Sequence, residues 1–257
     1  MSNRLLDKIT KELLQEFGSS RPVPGSGSAA ALDGLIAAHL TITVIGVTEK
    51  AKSEHISYQK NWEKLSEIRN EIKNDILPAL EALFEEDSVQ FAKAYQVRTS
   101  LKKERDPAIK QEKEKLHNHE MRKATELPMQ IADYCRRIGM HATFVFDYGF
   151  WKASGDSATA ISSAAAGLYS SLSIIELNLS MLPADNWMSN IRKEKQLLTS
   201  SYDTLDELRN QRLGKLRKEA DEHWCSERIA QFKNGNMGSE IKTDDELENL
   251  VSDLQNI

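Results

Sequence analysis

Apolar residues recur along this chain at spacings of three and four, with no strand-like alternation of useful length. Leu5, Leu6, Ile9, Leu13, Leu14 and Phe17 predict a first helix, which Gly18-Ser19-Ser20 closes. Residues 21–28 read as a loop, because Pro22, Pro24, Gly25 and Gly27 interrupt regular structure. A second helix is expected from Ser28, a favoured N-cap residue. Ala29, Ala30, Ala31, Gly34, Ala37 and Ala38 make it narrow, and a narrow helix admits neighbouring backbones closely, so it belongs at the centre of a bundle. Trp62, Leu65, Ile68 and Ile72 mark one face of a helix over 53–75, and Pro78 separates it from a helix carrying Leu80, Leu83, Phe84, Phe91 and Ala94.

Residues 98–120 are dense in charge and broken by Asp106-Pro107, which predicts an exposed connection. Another helix is expected from Thr125 to Tyr148, followed by a break at Gly155-Asp156-Ser157. A second run of small residues, 158–167, then leads to Leu172, Ile175, Leu179 and Leu182 before Pro183 stops the helix. Residues 188–233 read as one long charged helix with a leucine stripe that packs on the bundle or on a second subunit. The expected architecture is all-α, a bundle of long helices with a Gly/Ser-rich loop at a helix N-terminus. One domain over 1–235 is expected, with an acidic tail over 236–257.

Composition narrows the function classes. The 257 residues carry 39 acidic and 34 basic side chains, a net charge of −5, which argues against a dedicated nucleic-acid binder. Asp33, His39 and several threonines interrupt the apolar stretch from Ala29 to Val47, so a buried core helix is expected rather than a membrane span. The segment Met1–Leu5 lacks an apolar signal core, and Cys135 and Cys225 are far apart. Reduced thiols and a cytoplasmic location are the expectation. His117 and His119 point in different directions on a helix, so no metal site is expected there, and His39 is the histidine expected to be buried.

Pro22-Val23-Pro24-Gly25-Ser26-Gly27-Ser28, continuing into Ala29-Ala30-Ala31-Leu32-Asp33-Gly34, resembles the opening signature of the formimidoyltetrahydrofolate cyclodeaminase / methenyltetrahydrofolate cyclohydrolase family. That signature runs Pro-Gly-Gly-Gly-Ser into Ala-Ala-Leu-(small)-Gly. Three later stretches fall in the family's order. Glu85 to Phe91 resembles Asp-Glu-Asp-Ala-x-Ala-Phe, Ala124 to Pro128 resembles Ala-Thr-Glu-Val-Pro, and Ala160 to Ser163 resembles Ala-Ile-Ser-Asp. Asn178 matches an asparagine on the following helix, and the resemblance covers about residues 5–215. It implies a stand-alone helical domain that forms a homodimer, with a folate site near the Gly-rich loop and the subunit interface. The reaction so implied closes a one-carbon unit on tetrahydrofolate with loss of ammonia, or adds water to the methenyl bridge, and uses no cofactor or metal.

The residues agree with such chemistry on their own terms. Glycines at a helix N-terminus admit a ligand to free backbone N–H groups. Pro24, Gly25, Ser26, Gly27 and Ser28 are therefore candidate substrate-binding residues, together with Ser162, Ser163 and Asn178 at the matching positions. Asp87 is the candidate general acid/base, since burial among apolar residues raises a carboxyl pKa toward neutrality. The chain departs from the family pattern at Ser26 (glycine), Ser163 (aspartate) and Ile174 (asparagine). Two alternatives stay open on these departures: a diverged enzyme acting on another cyclic imine or amidine, and a non-catalytic helical dimeric partner protein.

Overall fold

The computed structural model describes residues 10–53 and 56–233, the side chains as far as 227. Its helices are α1 (Thr10–Phe17), α2 (Ser26–Ala51), α3 (Ile56–Glu71), α4 (Leu77–Lys103), α5 (Pro107–Tyr148), α6 (Ser154–Ser180) and α7 (Asn186–Lys233). A π-helical turn, Ile72–Ile76, joins α3 to α4, and a 3₁₀ turn, Trp151–Ala153, precedes α6. No strand occurs among the described residues. The chain divides into a compact unit over 1–209 and a second unit over 210–257. The expected tail over 236–257 and its boundary lie outside the described residues, as do Leu5, Leu6 and Ile9.

Small residues decide the centre of the first unit. Ala30, Ala31, Ala37 and Ala38 of α2 are buried, as are Ala160, Ala164 and Ala165 of α6. A Cβ on Gly34 would lie 3.0 Å from Cys135 Sγ of α5, and one on Gly167 only 2.7 Å from Ala30 O and from the same sulfur. Three helix backbones thus converge on one fully buried thiol, whose ionisation burial strongly disfavours. The approach is closer than any pair of branched side chains permits.

Several boundaries differ from the sequence expectation, each for a local reason. Pro78 does not break the helix: Leu77 N–H donates to Ile72 O five residues back, and this widened turn gives the proline ring room. Arg137 of α5 clamps the turn, with Nη2 at 2.6 Å from Glu71 Oε1 and 2.5 Å from Asp75 Oδ2. The charged stretch 98–120 is not a connection, because α4 runs to Lys103 and α5 starts at Pro107. Asp106 caps α5 by accepting from Ala108 N at 2.8 Å, and Pro107 occupies the first turn, where its missing N–H costs nothing. Consequently α5 is one helix of 42 residues rather than a helix beginning at Thr125, with Pro128 inside it. The break before α6 falls at Gly149 and Phe150, not at Gly155–Ser157.

His39 is exposed, contrary to expectation, because it faces outward from α2; His117 of α5 is the histidine buried at 8% exposure. The leucines of α7 do not form one stripe. Leu198 and Leu205 are buried, the latter over Gly139 of α5, whereas Leu197 is 72% exposed.

Two helical stretches, Ser26–Ala51 and Trp151–Ser180, are long and apolar enough to cross a membrane. About half of each, 50% and 56%, is buried inside the bundle. The outer face of these helices carries Leu32, Ile36 and Leu40 on α2 and Ala166, Tyr169 and Leu177 on α6, all partly or fully exposed, with Tyr169 beside Tyr202 of α7.

The packing centre gives a direct test. Gly167→Ala should destabilise the fold by about 1–3 kcal/mol, since its methyl meets the backbone oxygen of Ala30 rather than a movable side chain. Gly155→Ala, whose methyl meets open space, should be neutral or mildly stabilising in the same urea titration.

Candidate functional site

The loop between α1 and α2 is built to bring α2's first turn to the surface of the bundle. Ser20 takes a left-handed conformation (φ 59°) that turns the chain out of α1. The Val23–Pro24 peptide is cis, and Pro24 is buried. Gly25, in extended conformation, stands at the N-cap, and α2 begins at Ser26 rather than at Ser28. The N-cap residue is therefore Gly25, which has no side chain to cap with, so Ser28 does not have the capping role expected of it.

Beside this turn lies a cleft of about 170 Å³. Pro22, Val23 and Gly25 line it from the loop, and Ser26 and Gly27 from α2. Asp87 and Phe91, one turn apart, line it from α4, and Ala124 lines it from α5. Ile174, Leu177 and Asn178 of α6 close the remaining wall. A larger groove of about 460 Å³ runs between α5 and α7, but it is open and contains no buried ionisable side chain.

Asp87 is the chemical centre of the cleft. It is 8% exposed, and burial pushes its pKa up from 3.8 to about 6; the Ser28 backbone N–H opposes that rise without reversing it. A Cβ on Gly27 would sit 2.1 Å from Asp87 Oδ1, so the carboxyl group occupies the space that any side chain at position 27 would fill. This changes the reading of the Gly-rich turn. Its backbone receives the protein's own carboxylate instead of lying free for an anionic ligand.

Asn178 has a partner prepared by a proline. Pro128 has no N–H, so the carbonyl of Ala124, four residues earlier, lacks its helical donor. Asn178 Nδ2 donates to that oxygen at 3.0 Å, and Asn178 is 2% exposed. The amide thus ties α6 to α5 along the cleft wall, and its carbonyl oxygen is the group it can offer a ligand.

The structure therefore brings Gly25, Ser26, Gly27, Asp87 and Asn178 together. Pro24 and Ser28 are buried behind the wall, where Ser28 Oγ is 3.0 Å from Phe84 O and 2.9 Å from Ser88 Oγ. Ser162 and Ser163 do not line the cleft; Ser163 precedes Ile174 by eleven residues, about 16 Å along α6. The apolar walls formed by Val23, Phe91, Ile174 and Leu177 were not singled out as site residues. Spacing held the signal: Phe91 lies one turn from Asp87, and Ile174, Leu177 and Asn178 share one helix face. Among the described residues no group of three or more His, Cys, Asp or Glu side chains is placed to hold a metal ion.

Similar proteins fall in one family. The family model described as formiminotransferase-cyclodeaminase matches residues 9–197. A methenyltetrahydrofolate cyclohydrolase of Methylorubrum extorquens is 27% identical over 204 residues, covering 78% of this chain and 93% of that protein. The crystal structure of formiminotetrahydrofolate cyclodeaminase from Thermotoga maritima superposes with a TM-score of 0.70 at 15% identity. That superposition covers 82% of this chain and 98% of the other and shows the shared fold.

The buried carboxyl group makes a prediction about stability. Between the unfolded pKa near 4 and the folded value near 6 the native state holds the extra proton, so stability falls as pH rises through this window. Above it the buried charge costs about 3 kcal/mol. Asp87→Asn should therefore melt higher than the parent at pH 7.5, and the difference should shrink on acidification toward pH 4. A melting difference independent of pH would show that Asp87 titrates as an ordinary exposed carboxylate.

Proposed function

Because this chain belongs to the formiminotransferase-cyclodeaminase family, we propose that it is a one-carbon enzyme of tetrahydrofolate chemistry that adds water to the methenyl bridge, as a cyclohydrolase does. One observation carries the choice: among the described residues, Asp87 is the one titratable side chain lining the cleft. Hydration needs one group that moves a proton. Deamination of a formimino unit needs a further acid for the departing nitrogen.

The bridge carbon of a methenyl-tetrahydrofolate belongs to a flat cationic amidine. Ionised Asp87 attracts that charge and takes a proton from water as the water oxygen bonds to the carbon. It then returns the proton to N5 as the carbon–N5 bond breaks, and the hydroxyl proton passes to solvent. The product is the 10-formyl compound with net release of one proton. Phe91, Ile174 and Leu177 offer apolar walls to the ring, and the Ser26 hydroxyl and the Asn178 amide oxygen offer polar contacts. No cofactor enters this reaction. Ser162 and Ser163, away from the cleft, take no part in it within one subunit.

A cleft of about 170 Å³ holds the bridge and part of the ring but not a whole folate. Its α6 wall continues into the outer face, since Leu177 lines the cleft and is also 62% exposed. We propose that a second copy of the chain covers this face, so that the homodimer interface encloses the rest of the substrate and brings Ser162 and Ser163 into that interface. Asp33, half-buried on α2 with a pKa raised by burial, and the hydroxyls of Thr43 and Ser173 suit a protein partner better than lipid. A cytoplasmic location accords with the folate chemistry of the family.

Two measurements test it. With methenyl-tetrahydrofolate as substrate, kcat/KM should fall about tenfold per pH unit below pH 6, and Asp87→Asn should lose a hundredfold or more at pH 7. A rate unaffected by Asp87→Asn, or release of ammonia from the formimino compound at a comparable rate, would overturn the cyclohydrolase reading. For the assembly, Ile36→Asp in the middle of the α2 outer face should convert a sedimenting dimer to monomer. An unchanged dimer would place the interface elsewhere.

A further inference from the structure

Two hydroxyl groups behind the cleft connect the helix that carries Asp87 to the helix that receives it. Ser28 is 0% exposed, and its Oγ lies 3.0 Å from Phe84 O and 2.9 Å from Ser88 Oγ. A serine has one hydroxyl proton. Ser28 gives it to the carbonyl of Phe84, so Ser88 is the donor in the second bond. Phe84 and Ser88 are four residues apart on α4 and flank Asp87 on the same side of the helix.

We propose that Ser88 is a positioning residue: acting through Ser28, it holds the first turn of α2 so that the Ser28 N–H stays on the Asp87 carboxylate. The backbone N–H and the hydroxyl belong to the same residue, so a shift of Ser28 away from α4 withdraws both from the site together. Losing the N–H removes a contact that favours the ionised carboxylate, and Asp87 then ionises at higher pH.

Among the described residues, no charged side chain lines the cleft beside Asp87 to substitute for that contact. The loop presents Pro22 and Val23 to Asp87, and α2 presents Ser26 and Gly27. The wall facing it holds Ala124 of α5 and, from α6, Ile174, Leu177 and Asn178. All are uncharged. Glu85 and Glu86, the neighbours of Asp87 on α4, line a different groove with Lys93, Lys123 and Glu126.

The proposal rests on Asp87 being the general base, but its test does not require turnover. In carboxyl-¹³C-labelled protein the Asp87 signal is the one missing from Asp87→Asn, and its titration gives the midpoint directly. Ser88→Ala should raise that midpoint by about half a pH unit, a threefold change in the ratio of the two forms. Ser88→Thr, which keeps the hydroxyl, should titrate like the parent, and Ser28→Ala should shift at least as far as Ser88→Ala. In an active preparation the acid limb of kcat/KM should move by the same amount. An unchanged midpoint in Ser88→Ala, or an equal shift in Ser88→Thr, would overturn the positioning role. Absence of folate turnover in the parent protein would overturn the proposed function alone, because the titration still reads the hydroxyl pair.

Discussion

The contact between Asp87 and the first turn of α2 sets the geometry of everything around it. A carboxyl group stands where a Cβ at position 27 would be, 2.1 Å from it at the closest oxygen, so helices α2 and α4 approach as they do only with glycine there. The Ser28 N–H faces the carboxylate, and the Ser28 hydroxyl bonds to α4 a turn away. Burial works against this arrangement by raising the pKa to about 6. A carboxyl pKa raised toward neutrality is what the proton-moving role proposed for Asp87 requires.

A second local rule supports the first. Pro128 inside α5 leaves the Ala124 carbonyl without a helical donor, and an unpaired buried carbonyl is expensive. Asn178 satisfies it from α6 and so fixes the wall opposite Asp87. Two stretches more than fifty residues apart, Ala124–Pro128 and the region of Asn178, thus form one device: a proline makes a vacancy and an amide fills it. The π-helical turn before Pro78 solves the same problem differently, by widening the backbone, with Arg137 holding the widened turn through Glu71 and Asp75.

The bundle's centre and its outer face come from the same two helices. Small residues on the inner sides of α2 and α6 bring them against Cys135, leaving Ile36 and Leu177 exposed on the outer side, with Tyr169 exposed beside Tyr202 of α7. The cleft reaches this face through Leu177, so the surface proposed for a partner and the cleft proposed for a substrate adjoin.

The sequence by itself determined the all-α class, the central place of the two small-residue helices and the family, and it pointed to Asp87 and the Gly-rich turn, which the structure brings into one cleft. Each is written locally, in residue spacing or in a short motif. Proline positions misled because a proline reads as a stop, whereas its effect depends on whether the lost hydrogen bond is met elsewhere: by a π turn at Pro78, by Asn178 at Pro128. His39 was expected inside because α2 is apolar all round, and one chain cannot tell which side of such a helix faces its own core. Only the tertiary structure decided that the helix N-terminus receives Asp87, that Ser28 turns inward to α4, and that Ile174 rather than Ser163 lines the cleft. Those are relations between residues tens of positions apart, fixed by how closely helix backbones approach, and spacing along a chain carries no measure of that distance.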